Sequence, residues 1–340
     1  MTRPKPAIRK LHELANDELA DFFVVLHDRT KGITREGKPY FLCHFGDLRR
    51  TVSYMAWSDG IRFTECEHEW HAGMFFKIRA TFEDHKQYGP RIEIHNIRQA
   101  NEGDRNDGFA EADLLLQSRY CSVEMFAELK QICAHEISNK TLADLVLGLF
   151  DEHCEKIKKL PASTRHYYPF PGGWLEHTIM VVKNCMELCD RYRKKYADLQ
   201  PPLNRDLVIA AAALHEIGRV NELRTASGSE EPFEHTIPGK LFGHVLLGRD
   251  MVRDAIAHRG DIKQELAQLL LHLITTYPTP LEGGSPRLLL IPEILILHHA
   301  DELDTRMEMF VRCLLQDASS GPFTERDPML NRQLLKSREE

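Results

Sequence analysis

The feature that most constrains this chain is a change of hydrophobic period near residue 100. Before that point apolar residues tend to alternate with polar ones; beyond it they recur every three or four positions. Neither a single sheet nor a single bundle can satisfy both periods. The pattern therefore predicts two units in succession, which a chain of 340 residues can accommodate at roughly 150 residues per domain.

The first period yields five strand candidates: Phe22–Leu26, Tyr40–Phe45, Thr51–Trp57, Gly73–Phe82 and Arg91–Ile97. Phe76, Ile78, Ala80 and Phe82 share one face of the fourth. Thr30 to Gly37 is rich in turn residues, and Ile61–Glu69 can form a short helix. Five strands with a helix between the third and fourth predict a small Greek-key barrel of the OB type over residues 20–100, after a lead-in at 1–19. Residues 101–122 read as a polar, glycine-containing linker. Residues 123–320 then read as an all-α bundle, with helices over Val123–His135, Lys140–Lys158, Leu175–Tyr196, Arg205–Ile217, Lys240–His258, Ile262–Ile274 and Glu293–Leu315. Residues 321–340 form a charged tail, expected to be loosely held.

Composition removes several classes of function. The net charge of −7 excludes nucleic-acid binding by overall basicity. No apolar run approaches the ~18–20 residues of a membrane span, and Met1–Pro6 lacks the apolar core of a signal peptide. The eight cysteines include no Cys-x-x-Cys pair and read as free thiols of a reducing, cytoplasmic setting. The 18 histidines are more informative, because nine fall between His166 and His299 and imidazole is a common metal ligand.

Leu207, Ala211 and His215 follow i, i+4, i+8, which puts His215 on an inward apolar face beside Glu216. The simplest account of that pair is a core histidine with a solvated glutamate. His177 and Asp301 weigh against it. His177 opens a long helix after Gly172-Gly173, and Asp301 follows the apolar run Ile294–Leu297, where a carboxylate needs a cation or metal partner. Two imidazoles and two carboxylates from three helices can hold a divalent ion with positions left for water. Arg219, four residues after His215, is placed to meet a phosphate or to end a helix.

In order, His177, His215-Glu216 and Asp301 resemble the H…HD…D ligands of the HD-domain metal-dependent phosphohydrolases. The resemblance is closer to the YhaM-type 3′–5′ exoribonucleases, which join an N-terminal OB domain to an HD domain. It is carried by Gly172–Thr178, Leu203–Arg219, Gly239–His244, Gly284–Pro286 and Glu293–Met307. Four departures qualify it. Glu216 stands for the family's aspartate and Arg219 for its lysine, while Tyr277-Pro278 and Tyr167-Tyr168 stand where it has paired histidines. The resemblance implies one ion on His177, His215, Glu216 and Asp301, with Arg219 and His244 catalytic. A second ion, which His244 and a missing histidine would help hold, is impaired. Mn²⁺ is the first expected ion, with Fe, Ni, Zn or Mg as alternatives. The implied activity is 3′–5′ exoribonuclease-like cleavage of single-stranded RNA. The alternatives are a catalytically decayed OB–HD protein that binds nucleic acid or protein, and a nucleotide phosphohydrolase.

The barrel region carries a charge balance of +1 against −8 for the rest of the chain. Tyr40 and Trp57, with Lys38, Arg49 and Arg50, are its expected contacts to single-stranded RNA or DNA, by stacking and phosphate pairing. The competing account is that these aromatics fill the barrel core. No membrane partner is expected, and a homo-oligomer is left open.

Overall fold

The computed structural model describes residues 8–34, 36–85, 89–225, 233–278, 290–317, 319 and 321–336. The Met1–Pro6 and Gly284–Pro286 segments lie outside the described residues. The chain divides into two compact units, one built from residues up to Leu116 and from Cys313 onward, the other from Gln117–Arg224 and Phe233–Arg312.

The first unit is a closed five-stranded barrel of β1 (Leu19–Ile33), β2 (Pro39–Gly46), β3 (Thr51–Trp57), β4 (Phe75–His85) and β5 (Gly89–Gln99). Its strand order is β1-β2-β3-β5-β4, and α1 (Arg62–His68) lies between β3 and β4. This is the OB-type arrangement. Phe76, Ile78, Ala80 and Phe82 are all buried, so the period-two pattern of β4 does select its inward face. They share a core with Phe22, Val24, Leu26, Phe45 and Trp70.

Three local expectations give way to tertiary contacts. Strand β1 continues to Ile33, because Thr30 pairs with Leu42 and Ile33 with Pro39 across the sheet, which overrides the turn residues there. The 101–122 segment is more than a linker. Asn101 and Asp104 form a reciprocal capping box on a 3₁₀ turn, Glu102–Asp107. Arg98 grips the buried Asp104 carboxylate with two donors, at 2.7 and 2.5 Å, and Phe109 packs between Phe23 and Phe75. Residues 321–336 are also tied down: Thr324 N–H donates to the Leu334 carbonyl at 2.8 Å and Lys336 Nζ to Asp317 at 2.8 Å.

The second unit is helical: α2 (Ser122–Glu136), α3 (Lys140–Glu152), α4 (Cys154–Ile157), α5 (Gly173–Lys195), α6 (Arg205–Leu214), α7 (Arg219–Glu222), α8 (Ile237–Arg259), α9 (Gln264–Thr276) and α10 (Pro292–Gln316). A short pair, β6 (Leu223–Thr225) and β7 (Phe233–His235), joins α7 to α8. Helix α6 runs through the middle. Every residue from Leu207 to Leu214 is buried, and the run of alanines lets α2, α3, α5 and α9 all pack against it. Asn204 caps its N-terminus by accepting from Leu207 N–H at 3.0 Å. Its C-terminal end therefore delivers His215 and Glu216 to the centre of the bundle.

Candidate metal centre

Three elements supply the core of the site. His177 lies in the second turn of α5, His215 caps the C-terminus of α6, and Asp301 lies in α10. The Nε2 atoms of His177 and His215 are 3.1 Å apart. Asp301 Oδ1 is 3.2 Å from the first and 3.7 Å from the second. Both histidines are fully buried.

The outer nitrogen of each ring explains this convergence. His215 Nδ1 donates to the Ala212 carbonyl at 2.7 Å, which leaves a lone pair on its Nε2. His177 Nδ1 donates to Asp304 Oδ2 at 2.8 Å and turns its own Nε2 toward the same point. Orienting bonds of this kind are what metal-ligating histidines usually make. Among the described residues, buried Asp301 Oδ1 accepts no aligned hydrogen bond, and Glu216 Oε2 is orphaned in the same way. A buried anionic oxygen without a donor is costly. Two such oxygens beside two inward-facing nitrogens fit a divalent cation in both charge and donor type. One ligand atom each from His177, His215 and Glu216 lies within 4.8 Å of the others.

Glu216 holds a more constrained position than the other three. Its Oε1 accepts from the Tyr167 hydroxyl at 2.5 Å and from Arg219 Nη2 at 3.0 Å. Burial would raise its pKa, but the charges of Arg219, His177 and His244 outweigh that and hold it at about 2. Arg219 begins α7 and is itself buried. Its Nη1 donates to Glu222 Oε2 at 2.5 Å and its Nη2 to the Tyr167 hydroxyl at 3.1 Å, while Nε has no partner among the described residues. His244 stands at the edge, with Nε2 3.2 Å from the Tyr277 hydroxyl and 3.7 Å from Glu216 Oε1.

Two glycines bring His244 there. A Cβ on Gly218 would collide with the His244 carbonyl oxygen, so only glycine permits the close approach of α7 and α8. Gly243, at φ 69° and ψ 165°, interrupts α8 immediately before His244, in a conformation open essentially to glycine alone.

The tyrosines at 167, 168 and 277 all act as neutral hydrogen-bond donors or acceptors. Burial is the leading cause that pushes each phenol above its ordinary value. Tyr168 donates to Asp304 Oδ1 at 3.2 Å, and Tyr277 presents its ring edge-on to His215. None offers a phenolate to an ion at neutral pH.

Residues 174–306 match the family model of the HD domain. The helical unit carries an HD domain. HD domains are metal-dependent phosphohydrolases that bind divalent ions, and the four sequence-predicted ligands lie within the matched span. The chain is also similar to the solution structure of the second OB-fold domain of replication protein A from Methanococcus maripaludis. The two are 13% identical, and the match covers 28% of this chain and 96% of that one with a TM-score of 0.21. The OB assignment here rests on the barrel's own strand order. Among the described residues, no helix is long and apolar enough to cross a membrane.

The residues expected to bind nucleic acid separate into two groups. Tyr40 and Trp57 are cross-strand neighbours with ring centroids 5.5 Å apart, and Trp57 is 45% exposed. Lys38 is exposed beside them. Arg49 and Arg50 follow Gly46 at the other end of the β2–β3 hairpin, about 20 Å away at the rise of an antiparallel strand. Arg49 is exposed. Arg50 Nη1 instead donates to the carbonyls of Leu11 and Leu14 at 3.0 and 2.8 Å, and its guanidinium stacks over Phe82. That geometry gives Arg50 a structural task and leaves Tyr40, Trp57 and Lys38 as the coherent patch.

Sequence reading missed Asp304 and Glu222. Each sits three residues beyond a recognised site residue, Asp301 and Arg219 respectively, and so on the same helical face. That spacing was the available signal.

The apo site has a definite proton balance. Burial lowers the pKa of His177, but the bond to Asp304 and the nearby carboxylates of Asp301 and Glu216 outweigh that and raise it to about 10. A raised histidine pKa contributes stability that is full below about 6.5 and is lost as pH rises through about 10. The ion-free protein is therefore expected to lose stability across that window. Uptake of an ion at pH 7 to 8 should release about one proton, with affinity rising roughly tenfold per pH unit. Calorimetric titration in buffers of different ionisation enthalpy measures the release. Uptake with no proton released would contradict this balance.

Proposed function

We propose that the chain is a single-ion HD phosphohydrolase that cleaves phosphodiesters of single-stranded RNA, acting as a 3′–5′ exoribonuclease, with the barrel holding the strand. The observation that carries the hydrolytic part is the triangle of His177 Nε2, His215 Nε2 and Asp301 Oδ1, closed to 3.1–3.7 Å with no aligned hydrogen bond to the carboxylate oxygen among the described residues. His177, His215 and Asp301 would hold the ion, with Glu216 Oε2 facing the same space. A divalent ion there would supply Lewis acidity toward the phosphoryl group. Mn²⁺ is the first choice, and Fe, Ni, Zn and Mg belong in the same trial.

The residues around that point have separate tasks. Arg219 Nε is a buried donor held in reserve for a phosphoryl oxygen, and two carboxylates and the Tyr167 hydroxyl fix its plane. Glu216 and Glu222 keep the guanidinium charged and in position. His244, 20% exposed at its side chain, would protonate a leaving oxygen. Arg219 also supplies a fixed cation close to Glu216, in a site where tyrosines replace the histidines that a second ion would need. One ion is therefore expected in this centre.

The reading of RNA as substrate rests on the exposed Trp57 ring with the half-buried Tyr40 against it, beside Lys38. Base stacking on such a platform is worth about 1–3 kcal/mol per base. Trp57→Ala in the full chain is expected to weaken oligonucleotide binding by about 5- to 100-fold at low salt, and binding by both proteins should fall as salt rises. Fluorescence anisotropy with a labelled single strand measures it; equal affinity of the two proteins would remove the platform from the account.

One observation favours a second reading, that of a decayed site retained for binding. Tyr167 and Arg219 both engage Glu216 Oε1, which opposes full use of that carboxylate as a ligand. A degradation assay on 5′-labelled RNA with each ion, and on nucleotides in parallel, separates the readings. Ladder-like shortening from the 3′ end that Asp301→Asn abolishes supports the exonuclease. Turnover of nucleotides alone points to a nucleotide phosphohydrolase, and strand binding without any hydrolysis to the decayed site.

A further inference from the structure

A second cluster of metal-binding side chains lies on the outer part of α10, apart from the three-helix centre. His298, His299 and Glu302 each present one donor atom, and the three atoms lie within 4.8 Å of one another. The spacing explains this. Glu302 is four residues after His298 and three after His299, so its carboxylate lies beside both imidazoles on the helix surface. His298 Nε2 and Glu302 Oε2 are 3.8 Å apart. Two donors at ~2.0–2.2 Å from one zinc-sized ion can be no more than about 4.4 Å apart, so small side-chain rotations suffice to close the set.

Two contacts prepare these side chains. His298 Nδ1 donates to the Tyr277 carbonyl at 2.6 Å, which fixes the tautomer whose Nε2 carries a lone pair. Arg306 holds Glu302 Oε1 through Nε at 2.9 Å, which steadies the carboxylate and leaves Oε2 toward His298. His299 is exposed, and its ring centroid is 5.0 Å from that of His298. Two neutral imidazoles and one carboxylate are a donor set for a borderline transition ion, not for Mg²⁺ or Ca²⁺, which prefer oxygen.

We propose that His298, His299 and Glu302 form a separate surface site for Zn²⁺ or a similar divalent transition ion, completed by water. An ion there would span one turn of α10, the turn that also carries Asp301, and so would brace the helix that reaches into the buried centre. The site is independent of the catalytic reading: it needs neither hydrolysis nor an occupied core.

Equilibrium dialysis of the chelator-stripped full chain against Zn²⁺, with metal analysis, tests it. Wild type is expected to bind two ions, one at each site. His299→Ala and Glu302→Gln, both surface changes, should each weaken one of the two by at least 10-fold and leave the other unchanged. His215→Ala should lose the other ion and keep this one. Co²⁺ gives a second readout, since its visible spectrum should change in His299→Ala and persist in His215→Ala. If His299→Ala and Glu302→Gln take up Zn²⁺ with the wild-type isotherm, or if His215→Ala binds none, the surface site does not exist. A failure of the core reading would look different: the His215→Ala isotherm would match wild type while His299→Ala still lost an ion.

Discussion

Asp301→Asn is expected to strip the buried centre of its ion and to abolish phosphohydrolase activity while the protein stays folded. The reasoning is one of charge. Glu216 spends its negative charge on Arg219 and Tyr167, and Asp304 spends its bond on orienting His177. Asp301 Oδ1 is a buried oxygen that faces both imidazole Nε2 atoms without an aligned donor among the described residues. An amide of the same shape keeps the packing but offers the cation no formal charge. Partners that only orient ligands are typically worth 10–100-fold in affinity, so loss of this carboxylate should cost more than about 10²-fold. Metal analysis after dialysis reads the loss, and circular dichroism shows that the helices remain. An Asp301→Asn protein that keeps its core ion at wild-type affinity would remove Asp301 from the ligand set.

Arg219→Met should have the largest effect on stability. The guanidinium is buried between Glu216 and Glu222, and both carboxylates stay ionised with pKa values of about 2. Burial opposes that charge, so the carboxylates depend on Arg219 and His244 to remain ionised. Removing one partner of a buried pair costs about 3–5 kcal/mol because the other charge is left stranded. That is a large share of a typical total of about 5–15 kcal/mol. Urea denaturation of the ion-free protein should show it as a fall in midpoint. Arg219→Lys keeps the charge but not the planar fork that reaches two carboxylates and a phenol, so an intermediate loss is expected. Adding Glu216→Gln to Arg219→Met should recover part of the loss, since the two changes share one network. A change below about 0.5 kcal/mol, the level of an ordinary surface substitution, would show that Arg219 does not organise the site.

The residues that were legible from sequence are those whose local pattern carried its own signal. The alternation of Phe76, Ile78, Ala80 and Phe82 revealed the inner face of β4 because a strand's period is local. His215 on the face of Leu207 and Ala211, and Asp301 within an apolar helix, stood out because each is hard to bury alone. Partners fixed only by tertiary structure were not legible. Arg50 looked like a phosphate contact because nothing in the chain reveals that the Leu11 and Leu14 carbonyls lie against it. Asp304 meets His177 only through the packing of α10 against α5, whereas Glu222 lies one turn from Arg219 on the same helix, a spacing that the sequence does carry. The tyrosines at 167, 168 and 277 were noted as losses of histidine. In the structure they are hydrogen-bond partners of Glu216, Asp304 and His244 respectively.

The central claim is that His177, His215 and Asp301 share one ion. Anomalous diffraction at the zinc edge, from crystals of the full chain equilibrated with Zn²⁺, tests it most directly. A peak is expected inside the bundle about 2.0–2.2 Å from His177 Nε2, His215 Nε2 and an oxygen of Asp301, with Arg219 and Tyr167 still bound to Glu216. Saturated crystals with no peak among those three atoms, or with an ion held by Glu216 and His244 instead, would contradict it.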